Sequence, residues 1–314
     1  MMENNFDLSL CLAYLKKGSL CSAMEYTAQF PEYADLYQRY VSLFQQENYL
    51  SYDVDSNLQD ILLIYQKYYR DAFYLEQSPE EAAERLRVRL AELFQTDSAV
   101  PLDELEEKVV EALRSQSLYA LAGRTGGYYG PYVWRTEELK HFAVELPDGV
   151  QDYAVKLLDG FIMESWLNYL TFGKSGTGGW SNGDGLIHCV KHCYDLESES
   201  FRVSLLKHEA QHAADQGRYP GMSVEDLEYR AKLVELIYSE ERQMLGCFLR
   251  EADTTNSGNS HGLAAERIVR GFEARLGKSR EELTGLPVQK VQSAALALFR
   301  ESTAEMDRKY AQAS

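Results

Sequence analysis

The chain has 314 residues, 45% of them apolar and 26% charged, with a formal net charge of -17 at pH 7. That length suits one large domain or two ordinary ones and can bury a sizeable core. The acidic balance argues against nucleic acid or an anionic membrane surface as the main partner, since both call for basic patches, and it is compatible with a cation site.

The first stretch, "MMENNFDLSLCLAYLKKGSL", has acidic and polar residues where a secretory signal needs a basic start. No segment approaches the roughly twenty apolar residues of a membrane span. Five cysteines (Cys11, Cys21, Cys189, Cys193 and Cys247) are odd in number and not spaced as a disulfide framework. Together these features predict a reducing, cytoplasmic setting.

Residues 1–117 read as a helical N-terminal domain. Apolar residues recur at helical spacing in "DLSLCLAYLKKGSLCSAMEYTAQF", with a break at Gly18, and again in "DLYQRYVSLFQQENYL" and "NLQDILLIYQKYYRDAFYLEQ". "SPEEAAERLRVRLAELFQ" opens with Ser78 as N-cap, Pro79 at the first helical position and acids in the first turn. "LDELEEKVVEALRSQ" is a further helix. No repeat of fixed period is present. The many tyrosines suit amphipathic positions, rings buried and hydroxyls wet. Such a region offers a surface to a protein partner.

The texture changes near residue 120, and residues 118–314 read as a second domain. Turn glycines separate β-prone runs such as "YYGPYVW" and "HFAVEL". "VQDYAVKLLDGFIMESWLNYLTFG" reads as a helix or a strand–helix unit. A glycine-rich loop follows from Gly173 to Gly185, then a strand in "GLIHCVKHCYDL", then helices over 200–216, 223–250, about 262–276 and about 288–311. The expected class is α+β, mostly helical, with a small sheet.

Two motifs fall short. Gly173-Lys174-Ser175 lacks the glycine five residues upstream that a phosphate-binding loop needs, and Asn168 stands there. In "HCVKHC", strand alternation would place His188 and His192 on one face and Cys189 and Cys193 on the other, so no single ion meets all four.

The stretch "LLKHEAQHAADQ" is different. His208 and His212 stand four apart, one turn along the same face of a helix, a spacing that lets two imidazoles share one tetrahedral zinc. Glu209 is rotated by roughly 100 degrees from His208, so it can sit beside a metal without binding it. Ser200 or Ser198 is the expected N-cap, and Phe201, Leu205 and Ala213 can anchor the helix to a core. Catalytic zinc needs a third protein ligand. The next helix, opened by Ser223 and Asp226 in a capping-box pattern, offers Glu228 and, seven residues on, Glu235.

This arrangement resembles the gluzincin metallopeptidases, which include thermolysin-like and lethal-factor-like enzymes. There a HExxH helix supplies two histidines and a second helix a glutamate. The resemblance implies a zincin-like catalytic domain that holds Zn²⁺ through His208, His212 and Glu228, the last favoured over Glu235 by the small Ala231 three residues later. It implies that Glu209 acts as general base on a zinc-activated water that attacks a peptide bond. It also implies that Asp215, three residues after His212, gives support behind the ligands, and that Tyr219 or His261 donates to the oxyanion. The interval from His212 to Glu228 is shorter than in thermolysin. By the same analogy, the strand "GLIHCV" would be the sheet edge on which a peptide substrate pairs, with Trp180 of the glycine-rich loop at the rim of the cleft. The competing reading is a non-catalytic helical interaction or scaffold protein with a structural or vestigial zinc site.

Overall fold

The computed structural model describes residues 5–97, 99–181, 186–241, 243–254 and 259–310. It is α+β and mostly helical. Packing divides the chain into two units, Met1–Thr136 with Asp159–Thr177, and Glu137–Leu158 with Gly178–Ser314. The cut read at residue 117 follows the change of texture. Packing instead joins 118–136 and 159–177 to the N-terminal helices, because the short strands they form close over the helical core.

The first unit opens with the helices α1 (Leu8–Lys16), α2 (Leu20–Thr27), α3 (Ala34–Tyr40), α4 (Ser56–Tyr69), α5 (Pro79–Leu93) and α6 (Leu102–Ser115). Asp7 caps α1, its carboxylate accepting from Ser9 N at 2.8 Å. Ser78 and Glu81 form the reciprocal capping box of α5, with Pro79 at its first position. α3 and α4 run on into wider π turns at Val41–Gln45 and Arg70–Tyr74. The chain then forms β1 (Tyr119–Leu121), β2 (Arg124–Thr125), β3 (Tyr128–Tyr129) and β4 (Tyr132–Trp134).

The tyrosines of this unit depart from the expected wet hydroxyls. Tyr40, Tyr65, Tyr68 and Tyr69 are fully buried. Their hydroxyls bond to protein instead: Tyr40 donates to Leu170 O at 3.2 Å, Tyr65 to Glu106 Oε1 at 3.2 Å, and Tyr68 accepts from Tyr129 N at 3.2 Å. Ring stacking within the core makes this possible, since aromatic pairs bury large area while each hydroxyl finds an internal partner.

Glu106 is the other half of one such pair. It is 6% exposed, and its Oε1 also accepts from Gly123 N at 3.3 Å. Burial pushes its carboxyl up to about 7. The native state therefore holds a proton on Glu106 at pH values where the unfolded chain, with an ordinary carboxylate of about 4.5, has lost it. Stability falls as pH rises between those two values, and the penalty is complete above about 7. Glu106→Gln keeps an acceptor oxygen and removes the charge. We expect it to raise the melting temperature at pH 8, an effect of roughly 3 kcal/mol at ~1.4 kcal/mol per pKa unit, and to change it little at pH 4. Melts at the two pH values check this. An equal shift at both would show that the charge is not the cause.

The second unit begins with two long strands, β5 (Thr136–Leu146) and β6 (Gly149–Asp159). The segment read as a helix or strand–helix unit is thus a long strand, β6, followed by β7 (Met163–Glu164) and the short α7 (Ser165–Leu170). β7 and α7 belong to the first unit, where β7 pairs with β4 in the sheet order β1-β4-β7. In the second unit β8 (Gly179–Ser181) and β9 (Leu186–Val190) complete a sheet of order β5-β6-β9-β8. β9 runs parallel to β6 and antiparallel to β8.

Helices cover one face of this sheet. A π-helical stretch, Ser200–Lys207, runs directly into α8 (His208–Arg218). Then come α9 (Val224–Tyr238), α10 (Gln243–Glu251), α11 (Ser260–Leu276), α12 (Arg280–Leu283) and α13 (Val288–Tyr310). Val155, Leu157, Ile187 and Cys189 of the sheet meet Phe201, Leu205, Leu233 and Phe272 of the helices. The single helix read over 223–250 is two, α9 and α10. The carboxylate of Glu199 holds the break open by accepting from Ser239 Oγ, Glu240 N and Glu241 N. Among the described residues no helix is long and apolar enough to cross a membrane.

Candidate metal centre

The helix that carries His208 and His212 is fixed at its start by Ser198, whose hydroxyl accepts from Phe201 N at 3.2 Å. Phe201 and Leu205 then anchor it in the core. Leu205 packs on β8 at Gly179, where a Cβ would lie 2.6 Å from Leu205 Cδ1 and 2.6 Å from His188 O, so only glycine fits beneath the helix. α9 is capped by Ser223, which accepts from Asp226 N at 3.2 Å. The expected reciprocal half of that capping box is replaced, because the Asp226 carboxylate pairs with Arg267 at 2.7 Å and Lys309 at 3.2 Å.

These two helices bring three donors together. His208 Nε2 and His212 Nε2 are 2.9 Å apart, and the Glu228 oxygens lie 3.5 Å from His208 Nε2 and 3.6 Å from His212 Nε2. One ligand atom from each of the three falls within 4.8 Å of the others, so the group can hold a metal ion. Their side chains are 9%, 12% and 10% exposed. Two imidazole nitrogens and one carboxylate oxygen are a donor set that suits borderline divalent ions.

Glu235 settles the proton on His208. Its Oε1 lies 2.7 Å from His208 Nδ1 and accepts that N–H, which turns the Nε2 edge of the ring toward His212 and Glu228. The two glutamates that sequence spacing offered as third ligand thus occupy opposite edges of one ring, Glu228 with the donor group and Glu235 behind it.

The electrostatics of the cluster follow from burial and pairing. Burial works against a charged His208, but hydrogen bonds and the charges of Glu228 and Glu235 outweigh it and raise its pKa to about 10. Burial, reinforced by the charge on His208, lowers His212 to about 3. Burial also works against the Glu228 carboxylate, yet hydrogen bonds from His208 and His261 hold it well below the usual range. His208 is thus an imidazolium held between two carboxylates, and a metal ion displaces its Nε2 proton when it binds.

Glu209 follows His208 on α8 and is half-buried. Burial raises its pKa, partly offset by the His208 charge. His261 reaches the same cluster, its Nδ1 3.0 Å from Glu228 Oε2 and its ring stacked 6.5 Å from that of His208. It does so from the first turn of α11, not from a loop, with Asn259 capping that turn. Part of the expected loop, residues 255–258, lies outside the described residues.

No family model, curated protein or solved structure matches the chain.

Tyr219 and Asp215 stand apart from the donors. Tyr219 is 2% exposed, and its hydroxyl donates to Asp307 Oδ1 at 2.7 Å. It packs with Met222, Leu227 and Met306, because α8 ends at Arg218 and the chain turns under α13 there. Asp215 is equally buried, and its Oδ2 accepts from Arg230 Nε at 2.9 Å. It supports α9 rather than an imidazole. Arg230 is the functional neighbour that sequence reading passed over. It sits inside "LEYRAKL", where helical spacing marks it only as one more polar residue.

The sheet also differs at its edge. β9 is internal, flanked by β6 and β8, so the edge strand on that side of the sheet is β8. The strand in "HCVKHC" ends at Val190, and Lys191–Cys193 form a 3-10 turn. The alternation argument therefore covers only His188 and Cys189. Trp180, expected at the cleft rim, pairs across strands with His188 and stacks on it at 5.3 Å, on the sheet face opposite the helices. Residues 182–185 of the glycine-rich loop lie outside the described residues.

Proposed function

We propose that this chain is a zinc-dependent peptidase whose metal is held by His208, His212 and Glu228. The observation that carries this is the convergence of those three donors beside Glu209, with Glu235 fixing the tautomer of the first histidine. The pattern is similar to that of the gluzincins. Zinc, when bound, supplies a Lewis acid that polarises a carbonyl and acidifies water.

The chain's own groups do the rest. Glu209 takes a proton from water on its carboxylate and passes it to the leaving amine. Glu235 holds the His208 ring through Nδ1. His261, with 53% of its side chain exposed, is the histidine that a substrate reaches, and it donates to the developing oxyanion. An extended peptide pairs along β8, the edge strand beyond β9.

A second reading draws on the burial of all three donors: a structural metal site in an interaction protein, where Glu209 is replaceable. Metal content comes first. Protein purified without chelator is expected to carry about one zinc per chain by mass spectrometry, and His208→Ala and Glu228→Ala are expected to carry none. A wild-type chain that stays metal-free when zinc is added back overturns the proposal.

A further inference from the structure

A cavity of about 820 Å³ lies in the first unit between α6 and β1, and the metal cluster makes no use of it. One wall is a stripe of α6: Asp103, Glu106, Glu107, Glu111 and Arg114. These positions recur at helical spacing and so face the same way, which makes the wall four acids to one base. The opposite wall includes β1, which ends the order β1-β4-β7 and, among the described residues, pairs with β4 alone.

That edge is short, three residues, and it carries none of the charge or proline that blunts many other edge strands. β1 reads Tyr119-Ala120-Leu121, with Tyr119 and Leu121 each 41% exposed. Ala120 and Leu121 of this strand thus line an open groove whose other wall is an acidic helix.

We infer that this groove docks an extended, lysine- or arginine-bearing segment of a partner protein. Such a segment adds a strand to β1 through its backbone, while alternate cationic side chains meet the α6 stripe. Charge complementarity selects this occupant over an apolar helix, which would leave four carboxylates desolvated and unmatched. A divalent ion is a poorer fit. The carboxylates are spread along the helix, and among the described residues the convergent donor group is the one at His208. Glu106 lies at the groove floor with its carboxyl raised to about 7 by burial, so a cation arriving beside it also draws off its proton.

The test uses the full chain and a short peptide alternating lysine and valine, titrated by calorimetry at low salt. Glu107 and Glu111 are exposed, so Glu107→Lys with Glu111→Lys leaves the core untouched. That variant is expected to weaken binding at least roughly tenfold. Glu25→Lys with Glu92→Lys, the same charge change at exposed sites elsewhere, should leave binding within about twofold. A peptide N-methylated at alternate residues, unable to pair as a strand, should lose binding as well. Equal weakening by the two charge variants overturns the inference in favour of diffuse attraction to an acidic protein. Undiminished binding of the N-methylated peptide overturns the strand pairing. The outcome is independent of whether the metal cluster is catalytic.

Discussion

Glu209→Gln is expected to retain its metal and lose peptide hydrolysis by about 10²–10⁴-fold, the usual weight of a positioned general base. Glutamine has the size and shape of glutamate but cannot take a proton at neutral pH. The Glu209 carboxylate makes no hydrogen bond among the described residues, so its replacement leaves the surrounding packing intact. The melting temperature should move little, which separates a chemical loss from a folding one. His208→Ala is the contrasting variant, since it removes a donor and so abolishes both metal and turnover. Zinc content and cleavage of a peptide library, measured on the same preparations, check the pair. If Glu209→Gln cleaved as fast as wild type with zinc in place, the peptidase reading would be refuted and the structural-site reading would stand.

What could be read in advance depends on how local the determinants are. The His208–His212 spacing lies within one helix and needs only its 3.6-residue period, so the donor pair is visible before any tertiary structure. The α+β class is visible for the same reason, because period and turn residues are local. Which of Glu228 and Glu235 faces the imidazoles is not local. They stand on the same face of α9, and the choice depends on how far α9 slides along α8, which the Asp215–Arg230 pair sets from outside the motif. The break between α9 and α10 depends on Glu199, some forty residues upstream. β6 is ambiguous in sequence because "YAVKLL" is apolar enough for either period, and its partner β9 lies beyond an excursion through the other unit. The π stretch over Ser200–Lys207 has no signature in composition.

The Asp215–Arg230 pair carries the largest expected effect on stability. Arg230 is 0% exposed, with Nε on Asp215 Oδ2 at 2.9 Å, Nη1 on Thr303 Oγ1 at 2.9 Å and its guanidinium 4.2 Å over the ring of Phe299. A guanidinium cannot escape burial by losing its proton. Asp215→Ala therefore strands a buried cation with one neutral acceptor, a change that costs about 3–5 kcal/mol in comparable pairs. At ~2–4 °C per kcal/mol for a domain of this size, the metal-free protein should melt on the order of 10 °C lower. Replacing both partners, with Asp215→Leu and Arg230→Met, removes the stranded charge and should restore most of that loss. The two variants part company at the metal. Asp215 lies one turn beyond His212 and Arg230 two residues beyond Glu228, so the pair sets the distance between the donors on α8 and the donor on α9. The apolar double variant regains stability through packing alone, without the directional bond that fixes the register of the helices. We therefore expect it to bind zinc more weakly than wild type while melting near it, measured by chelator competition alongside thermal melts. Wild-type zinc affinity in the double variant would show that hydrophobic contact suffices to place Glu228, and that the ion pair contributes to stability only.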